Sequence, residues 1–158
     1  AQVDRFMLKV VITYPTKEEE KIILRQRITN EIPTNQAIIK PQDIMNARSI
    51  VREVYLDEKI ENYITDIVFA TRFPTDFKLN KYKDMISYGA SPRASIYMAL
   101  TAKAYAFIKR RGYVIPEDVR AVAHDVLRHR IGLSYEAEAE NITTVEIIND
   151  ILNTVEVP

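Results

Sequence analysis

Hydrophobic residues alternate along the first segment of the chain. From Phe6 to Tyr14 every second residue is apolar or aromatic, and the residues between them are also largely apolar. A period of two is typical of a β-strand, and apolar residues on both faces indicate burial inside a sheet. No second strand of comparable strength follows, so we expect the partner strands of this segment to lie outside the chain.

Helical spacing replaces this alternation after Tyr14. Thr16 and Glu19 have the spacing of a capping box, which predicts a helix that ends near Ile28. Further helices are predicted from side-chain caps, first-turn prolines and apolar residues at helical intervals. These helices begin at or near Pro41, Asp57, Ser91, Pro116 and Val145.

The longest predicted helix begins at Ser91 and ends near Arg110, where Gly112 is expected to stop it. Residues 75–90 in front of it show no sustained period and predict a loop. Its expected apolar stripe comprises Ile96, Leu100, Ala104 and Phe107, with Ala94, Ala99 and Ala102 beside it. The predicted fold is mainly α, a bundle of about five or six helices preceded by one β-strand.

Length and composition limit the possible functions. The chain has 158 residues, of which 47% are apolar and 28% charged, so one globular core should dominate. Lys and Arg balance Asp and Glu at 22 each, so neither nucleic acid nor an anionic membrane is an expected partner. The absence of cysteine excludes disulfides and thiolate metal sites, and no stretch is apolar enough to span a membrane. We therefore expect a cytoplasmic protein.

Residues with catalytic or metal-binding potential are few. The sequence lacks a glycine-rich phosphate loop and the serine, zinc and cysteine motifs of common enzymes. His124 and His129 miss the spacing that brings two metal ligands to one helical face. Lys109, Arg110 and Arg111 stand at the predicted end of a helix, where cations are favoured without any nucleic-acid partner. We expect no metal site and no catalysis by this chain alone.

Arg93 is the strongest functional candidate. Ser91 and Pro92 predict a helix N-terminus and place Arg93 in its first turn, where a cation opposes the helix dipole. Backbone donors and a guanidinium at one helix end together favour a phosphate group. From spacing alone, a surface arginine without a ligand is the alternative.

Several short motifs occur in order along nearly the whole chain. They are Gln2-Val3-Asp4-Arg5-Phe6, Tyr14-Pro15 with Glu20, Ala70-Thr71-Arg72, Gly89-Ala90-Ser91-Pro92-Arg93-Ala94-Ser95, Ala102-Lys103-Ala104, Pro116-Glu117-Asp118-Val119 and Val126-Leu127-Arg128-His129-Arg130. Together they resemble the C-terminal part of the MoxR family of AAA+ ATPases. The resemblance implies that residues 1–15 are the terminal strand segment of the AAA+ core and that residues 16–158 form the helical lid domain.

The resemblance also implies roles for individual residues. Arg93 corresponds to the sensor-two arginine, which reaches from the lid to the γ-phosphate of ATP in the same subunit. Arg5 resembles the arginine finger that acts on the neighbouring subunit's nucleotide, with Asp4 beside it at the subunit contact. Tyr14 and Ile23 would border the adenine.

ATP and Mg are the cofactors that the resemblance implies for the full-length parent, and none is expected for this chain alone. The phosphate loop, the Mg-binding motif and the first sensor are expected upstream of Ala1, so this chain by itself should not hydrolyse ATP. Family members commonly have threonine at the position of Ile115 and proline at that of His124. Arg110 and Gly112 also depart from the family pattern, so the turn around them is expected to differ.

The implied function is closure of the lid over ATP bound to its own N-terminal core, which couples hydrolysis to chaperone-like remodelling or assembly of partner proteins. The implied partners are neighbouring subunits of a ring, expected to be a hexamer, and proteins with von Willebrand A domains. The alternative is a stand-alone helical interaction module without a nucleotide role. A nucleic-acid-binding bundle would need a one-sided basic surface, for which the charge balance gives no reason.

Overall fold

The computed structural model describes residues 2–29 and 34–158, and the six predicted helices are all present in it. A short seventh helix, α6, is not predicted by the sequence pattern. The helices are α1 (Lys17–Ile28), α2 (Pro41–Glu53), α3 (Glu58–Ala70), α4 (Pro92–Ile108), α5 (Pro116–Leu127), α6 (Tyr135–Ala139) and α7 (Thr144–Thr154). The mainly helical fold class is therefore confirmed. None of these helices has the length and apolar character needed to cross a membrane.

Side-chain caps explain where three of these helices begin. The Thr16 hydroxyl accepts from the Glu19 amide at 3.3 Å, and the Glu19 carboxylate accepts from the Thr16 amide at 2.7 Å, which completes the predicted capping box. The Asp57 carboxylate accepts a hydrogen bond from the Lys59 amide in the first turn of α3 at 2.9 Å. Ser91 does the same for the Arg93 amide of α4 at 3.3 Å. Each cap satisfies a backbone donor that the helix itself leaves unpaired.

The core lies between the later helices of the chain. Helix α4 packs against α5, α3 and α2, and α5 also packs against α7. The largest fully buried side chains include Tyr63, Ile67, Met98, Val119, Val126, Leu127, Ile147, Ile148 and Ile151. Helix α1 contributes no buried residue. The core therefore belongs to α3, α4, α5 and α7, and α1 lies outside it.

The buried face of α4 differs from the predicted stripe. The fully buried residues of α4 are Ala94, Met98, Ala102 and Ala106. In contrast, Ile96 and Leu100 of the predicted stripe are 57% and 42% exposed. Apolar residues occur all round α4, so their spacing does not select one face. The packing selects the face with small side chains, which lets neighbouring helices come close.

Arg110 ends α4, and the prediction that Gly112 stops this helix is wrong. Arg110 has a left-handed φ of 59°, and its amide donates to the Phe107 carbonyl at 2.8 Å. The Arg111 amide donates to the Ala106 carbonyl at 2.9 Å, which completes a Schellman motif. Gly112 lies beyond the turn and has no positive φ. The sequence pattern pointed to Gly112 because glycine is the usual residue in this conformation.

A small antiparallel sheet occupies part of a segment that the sequence predicts as a loop. Strand β1 (Ile86–Tyr88) pairs with strand β2 (Gly132–Leu133), and Tyr88 lies opposite Gly132. Strands of two or three residues are too short to show a period of two. The prediction of a loop over 75–90 therefore missed β1.

The strand predicted from Phe6 to Tyr14 is wrong for the described chain. These residues form no strand, and the side chains of Ile12 and Tyr14 are almost fully exposed. A strand needs a neighbouring strand for its hydrogen bonds, and β1 and β2 pair only with each other. The Lys9 amide instead donates to the Asp125 carbonyl at 2.8 Å. The segment thus has the sequence pattern of a buried strand without the sheet that would bury it.

Candidate functional site

Asp4 connects the N-terminal segment to the start of α4. It lies in a 3₁₀ turn over Val3–Arg5, and its carboxylate accepts a hydrogen bond from the Ser91 hydroxyl at 2.9 Å. The guanidinium of Arg93 contacts the same carboxylate at 3.2 Å. The structure therefore brings together two of the predicted site residues, Asp4 and Arg93, from distant parts of the sequence.

Ser91 has two functions in this contact. Its hydroxyl accepts from the Arg93 amide and donates to Asp4, which is possible because a hydroxyl is both donor and acceptor. The residue that caps α4 thus also holds Asp4 beside the helix start. The Arg93 side chain is 58% exposed and that of Asp4 is 22% exposed. Arg93 therefore keeps access to solvent while it contacts Asp4.

The environment of Asp4 favours its ionised form. Burial raises the pKa of its carboxyl, but the hydrogen bonds from Ser91 and Arg93 and the charge of Arg130 outweigh burial. The pKa of Asp4 therefore lies below its ordinary value of 3.8. At neutral pH, Asp4 is a bound oxyanion at the N-terminus of α4.

Arg130 contacts Asp4 from the turn after α5, and sequence reasoning missed it. Its side chain is fully buried, and its Nε donates to the Asp4 carboxylate at 3.1 Å. Its guanidinium also lies over the ring of Tyr97, 5.1 Å from the centroid. Burial lowers the pKa of Arg130, and the charge of Asp4 opposes this effect. In the sequence, only the occurrence of Arg130 in the motif Val126-Leu127-Arg128-His129-Arg130 gave it any prominence.

Arg5 follows Asp4 in the same turn, and its side chain points into a different environment. Its guanidinium lies over the ring of Phe6, 5.3 Å from the centroid, and the side chain is exposed. Its backbone carbonyl accepts from the Tyr97 hydroxyl at 3.3 Å. Within the described part of the chain, Arg5 forms no ion pair. The backbone of Arg5 is thus held, while its charge remains on the surface.

Tyr14 and Ile23, the residues predicted to border the adenine, line one shallow cleft. The cleft has a volume of about 600 Å³ and lies between the end of the N-terminal segment and α1. Its other lining residues are Thr13, Pro15, Glu19 and Ile22. Arg93 does not line it. The structure thus groups the predicted residues into two sets, Tyr14 with Ile23 and Asp4 with Arg93.

The loop before α4 is fastened to the end of α3. The buried Thr71 hydroxyl accepts from the Ala90 amide at 2.9 Å, and the Arg72 Nε donates to the Ala90 carbonyl at 2.6 Å. A Cβ on Gly89 would lie 2.4 Å from the Thr71 carbonyl oxygen, so only glycine fits this approach. These contacts fix the residues that lead directly into Ser91 and Arg93.

Both histidines serve as hydrogen-bond partners. The Nε2 of His124 lies 2.9 Å from the Asn149 side-chain oxygen, and the Nε2 of His129 donates to the Phe6 carbonyl at 2.9 Å. Burial lowers the pKa of His129, which favours its neutral form. Among residues 2–29 and 34–158, no three acidic or histidine side chains are grouped as metal ligands.

Comparisons with known proteins concern the same region. The AAA lid domain family matches residues 82–151. Chaperone MoxR1 of Mycobacterium tuberculosis is 39% identical over 159 residues, which cover 100% of this chain and 42% of that protein. The uncharacterized protein YeaC of Bacillus subtilis is 36% identical over 159 residues, which cover 100% of this chain and 47% of that protein. The crystal structure of a candidate ATPase from Cytophaga hutchinsonii has a TM-score of 0.92 and 46% identity, covering 99% and 48%.

The helical fold fits the lid of an AAA+ ATPase, and residues 82–151 match the AAA lid domain family. The chain spans less than half the length of the relatives it matches. It fits the C-terminal part of a MoxR-family AAA+ ATPase, which confirms the resemblance seen in the sequence. The roles of Arg5, Asp4, Arg93, Tyr14 and Ile23, and the domain boundary after residue 15, stay predictions.

Proposed function

We propose that this lid region closes over ATP bound to the N-terminal core of its own subunit and couples hydrolysis to remodelling or assembly of partner proteins. Closure would bring Arg93 to the γ-phosphate, and ATP and Mg would be the cofactors of the full-length protein. The observation that carries this proposal is the half-exposed guanidinium of Arg93 at the N-terminus of α4, where it already binds the oxyanion of Asp4.

The start of α4 has the chemistry that a terminal phosphate requires. A helix N-terminus carries about half a positive charge, and Arg93 adds a full one beside it. A phosphate oxygen offers the same acceptor chemistry as the Asp4 carboxylate with more negative charge, so it would compete with Asp4 for the guanidinium. Arg93 would then stabilise the charge that develops during phosphoryl transfer.

Substitution of Arg93 in a full-length MoxR-family ATPase that carries this sequence tests the proposal. We expect Arg93→Ala to reduce ATP turnover by at least about tenfold in a protein that still folds and assembles. Arg93→Lys should recover part of the turnover, because it restores the charge but not the planar fork.

Lys109→Ala is a matched control for Arg93→Ala, since it removes a cation about 24 Å away at the other end of the same helix. Its turnover should equal that of the wild type. Unchanged turnover in Arg93→Ala would exclude the sensor role, whatever the behaviour of the control.

Arg5 is proposed to act on the nucleotide of the neighbouring subunit. Arg5→Ala and Arg93→Ala subunits would each be inactive alone, because every site would lack one arginine. In mixed rings, a site with Arg93 from one subunit and Arg5 from its neighbour would be complete at about a quarter of the interfaces. A failure of mixed rings to regain turnover would contradict a finger that acts in trans.

AAA+ family membership supports assembly into an oligomer. We further propose that the ring is a hexamer, that it functions in the cytoplasm and that proteins with von Willebrand A domains are among its partners. Light scattering of the full-length protein with ATP would give the subunit number. A stable monomer under these conditions would exclude the proposed ring.

A further inference from the structure

We infer that Arg130 is a positioning residue for Arg5, which it holds through the backbone on both sides of Arg5. Through Arg5, Arg130 affects the ATP site of the neighbouring subunit. This inference rests on the proposed function, in which Arg5 is the arginine finger. It assigns a role to a buried residue that was not among the site residues predicted from the sequence.

All five N–H donors of Arg130 have acceptors within the chain. Its Nε donates to the Asp4 carboxylate at 3.1 Å. Its Nη1 donates to the Met7 carbonyl at 3.2 Å and to the Val126 carbonyl, and its Nη2 donates to the Asp4 carbonyl at 2.9 Å and to the Phe6 carbonyl. A guanidinium has five such donors, so none is left for a phosphate. Arg130 therefore acts on the structure of the chain and does not itself bind nucleotide.

Four of the five acceptors of Arg130 lie on either side of Arg5 in the sequence. Three of them are the backbone carbonyls of Asp4, Phe6 and Met7. The carbonyl of Arg5 itself accepts from the Tyr97 hydroxyl. Four consecutive carbonyls are thus fixed by side chains from α4 and from the turn after α5. The direction in which the Arg5 side chain leaves the backbone is therefore set largely by Arg130.

Loss of Arg130 should release this segment. Its carbonyls and the Asp4 carboxylate would lose a fully buried cation, and no other residue could supply five donors from one point. Misplacement of a catalytic group by about 1 Å can reduce a rate by about a hundredfold. We therefore expect Arg130→Gln to reduce ATP turnover of the full-length protein by roughly tenfold to a hundredfold.

Arg130 also contacts the carboxylate that binds Arg93, so a loss of turnover alone would not identify which arginine is displaced. Mixed rings separate the two possibilities. If Arg130 positions Arg5, an Arg130→Gln subunit keeps a working Arg93 and lacks only the finger for its neighbour. Mixing it with Arg93→Ala subunits should then restore about a quarter of the wild-type turnover, and mixing it with Arg5→Ala subunits should restore none.

Three results would overturn the inference. In the first, Arg130→Gln subunits regain turnover when mixed with Arg5→Ala subunits and not with Arg93→Ala subunits. In the second, they regain turnover in neither mixture. In the third, Arg130→Gln alone has wild-type turnover. If the glutamine variant does not assemble, Arg130→Lys replaces it in the same mixtures, because lysine keeps the buried charge but has three donors. The mixture of Arg5→Ala with Arg93→Ala is the reference. If that reference fails, the proposed function fails, and if only the Arg130 mixture fails, the inference fails.

Arg120→Gln is the matched control for a purely structural effect. Arg120 is a half-buried arginine of α5 that donates to the Leu152 carbonyl and to the Asn153 side chain at 3.1 Å. It holds the C-terminal end of the chain in the same way that Arg130 holds the N-terminal segment. We expect a similar loss of thermal stability from both variants. Only for Arg130→Gln should the turnover of mixed rings depend on whether the other subunits carry Arg93→Ala or Arg5→Ala.

Discussion

Replacement of Gly89 by alanine tests how closely the loop before α4 approaches the end of α3. A Cβ at this position would lie 2.4 Å from the Thr71 carbonyl oxygen and 2.8 Å from the Arg72 Cγ. The first of these atoms belongs to the backbone of a fully buried residue, so it cannot move aside without disturbing the core. Gly89 has no positive φ, so the expected cost is steric and not conformational.

The magnitude follows from the clash and from the hydrogen bonds beside it. Overpacking of a well-packed site costs about 1–3 kcal/mol. Movement of the loop would also weaken the bonds from Ala90 to Thr71 at 2.9 Å and from Arg72 to Ala90 at 2.6 Å, each contributing about 1 kcal/mol. We therefore expect Gly89→Ala to lower the free energy of unfolding by roughly 2–4 kcal/mol. For a chain of this length, the melting temperature should fall by roughly 5–15 °C.

Urea and thermal unfolding of this chain, followed by circular dichroism, measure the effect. Gly112→Ala is the control, because a Cβ on Gly112 has no heavy atom within 4 Å. We expect Gly112→Ala to change stability by at most about 1 kcal/mol, in the stabilising direction, since alanine restricts the unfolded chain. Equal effects of the two substitutions would refute the close approach of Gly89 to Thr71.

Two further predictions concern the turn after α4 and the ionisation of Asp4. Arg110→Gly should raise the free energy of unfolding by roughly 1 kcal/mol in urea titrations, because glycine adopts the φ of 59° without strain, and a decrease would contradict this. Asp4 has a folded-state pKa below 3.8, so its contribution to stability is complete above pH 3.8 and is lost as the pH falls through the lower pKa. Asp4→Asn should therefore destabilise the chain at neutral pH, and the stability curves of variant and wild type should converge below pH 3.8. Burial also lowers the pKa of His129 from 6.5, which reduces the stability of both proteins below pH 6.5. If the stability curves of variant and wild type stayed parallel down to the lowest pH, the role of Asp4 would be excluded.

Local signals in the sequence predicted the helix starts and one end of the candidate site. The capping box of Thr16 and Glu19 and the pair Ser91-Pro92 depend only on residues within one turn, so they could be read directly. Arg93 could be found for the same reason, since its position follows from the cap before it. The contact of Arg93 with Asp4 could not be predicted from spacing, because the two residues lie in different segments of the chain.

Features that depend on packing were missed or wrongly assigned. The buried face of α4 could not be chosen because apolar residues surround the helix, and the small face at Ala94 and Ala102 is selected only by its neighbours. The sequence could not reveal the role of Arg130, since four of its five acceptors lie in the N-terminal segment. Arg110 was passed over for Gly112 because the left-handed conformation usually indicates glycine.

Arg5 lies between a segment with the pattern of a buried strand and a backbone that is hydrogen-bonded to the helical bundle. From Phe6 onward the chain has the pattern of a buried strand, and its exposed apolar side chains would be covered by a neighbouring sheet. The backbone carbonyl of Asp4 accepts a hydrogen bond from Arg130, and that of Arg5 accepts one from Tyr97 of α4. A sheet that took up the strand would therefore be joined to the bundle through the residues around Arg5. In that arrangement Asp4 would link the two arginines, because it contacts Arg93 and adjoins Arg5 in sequence.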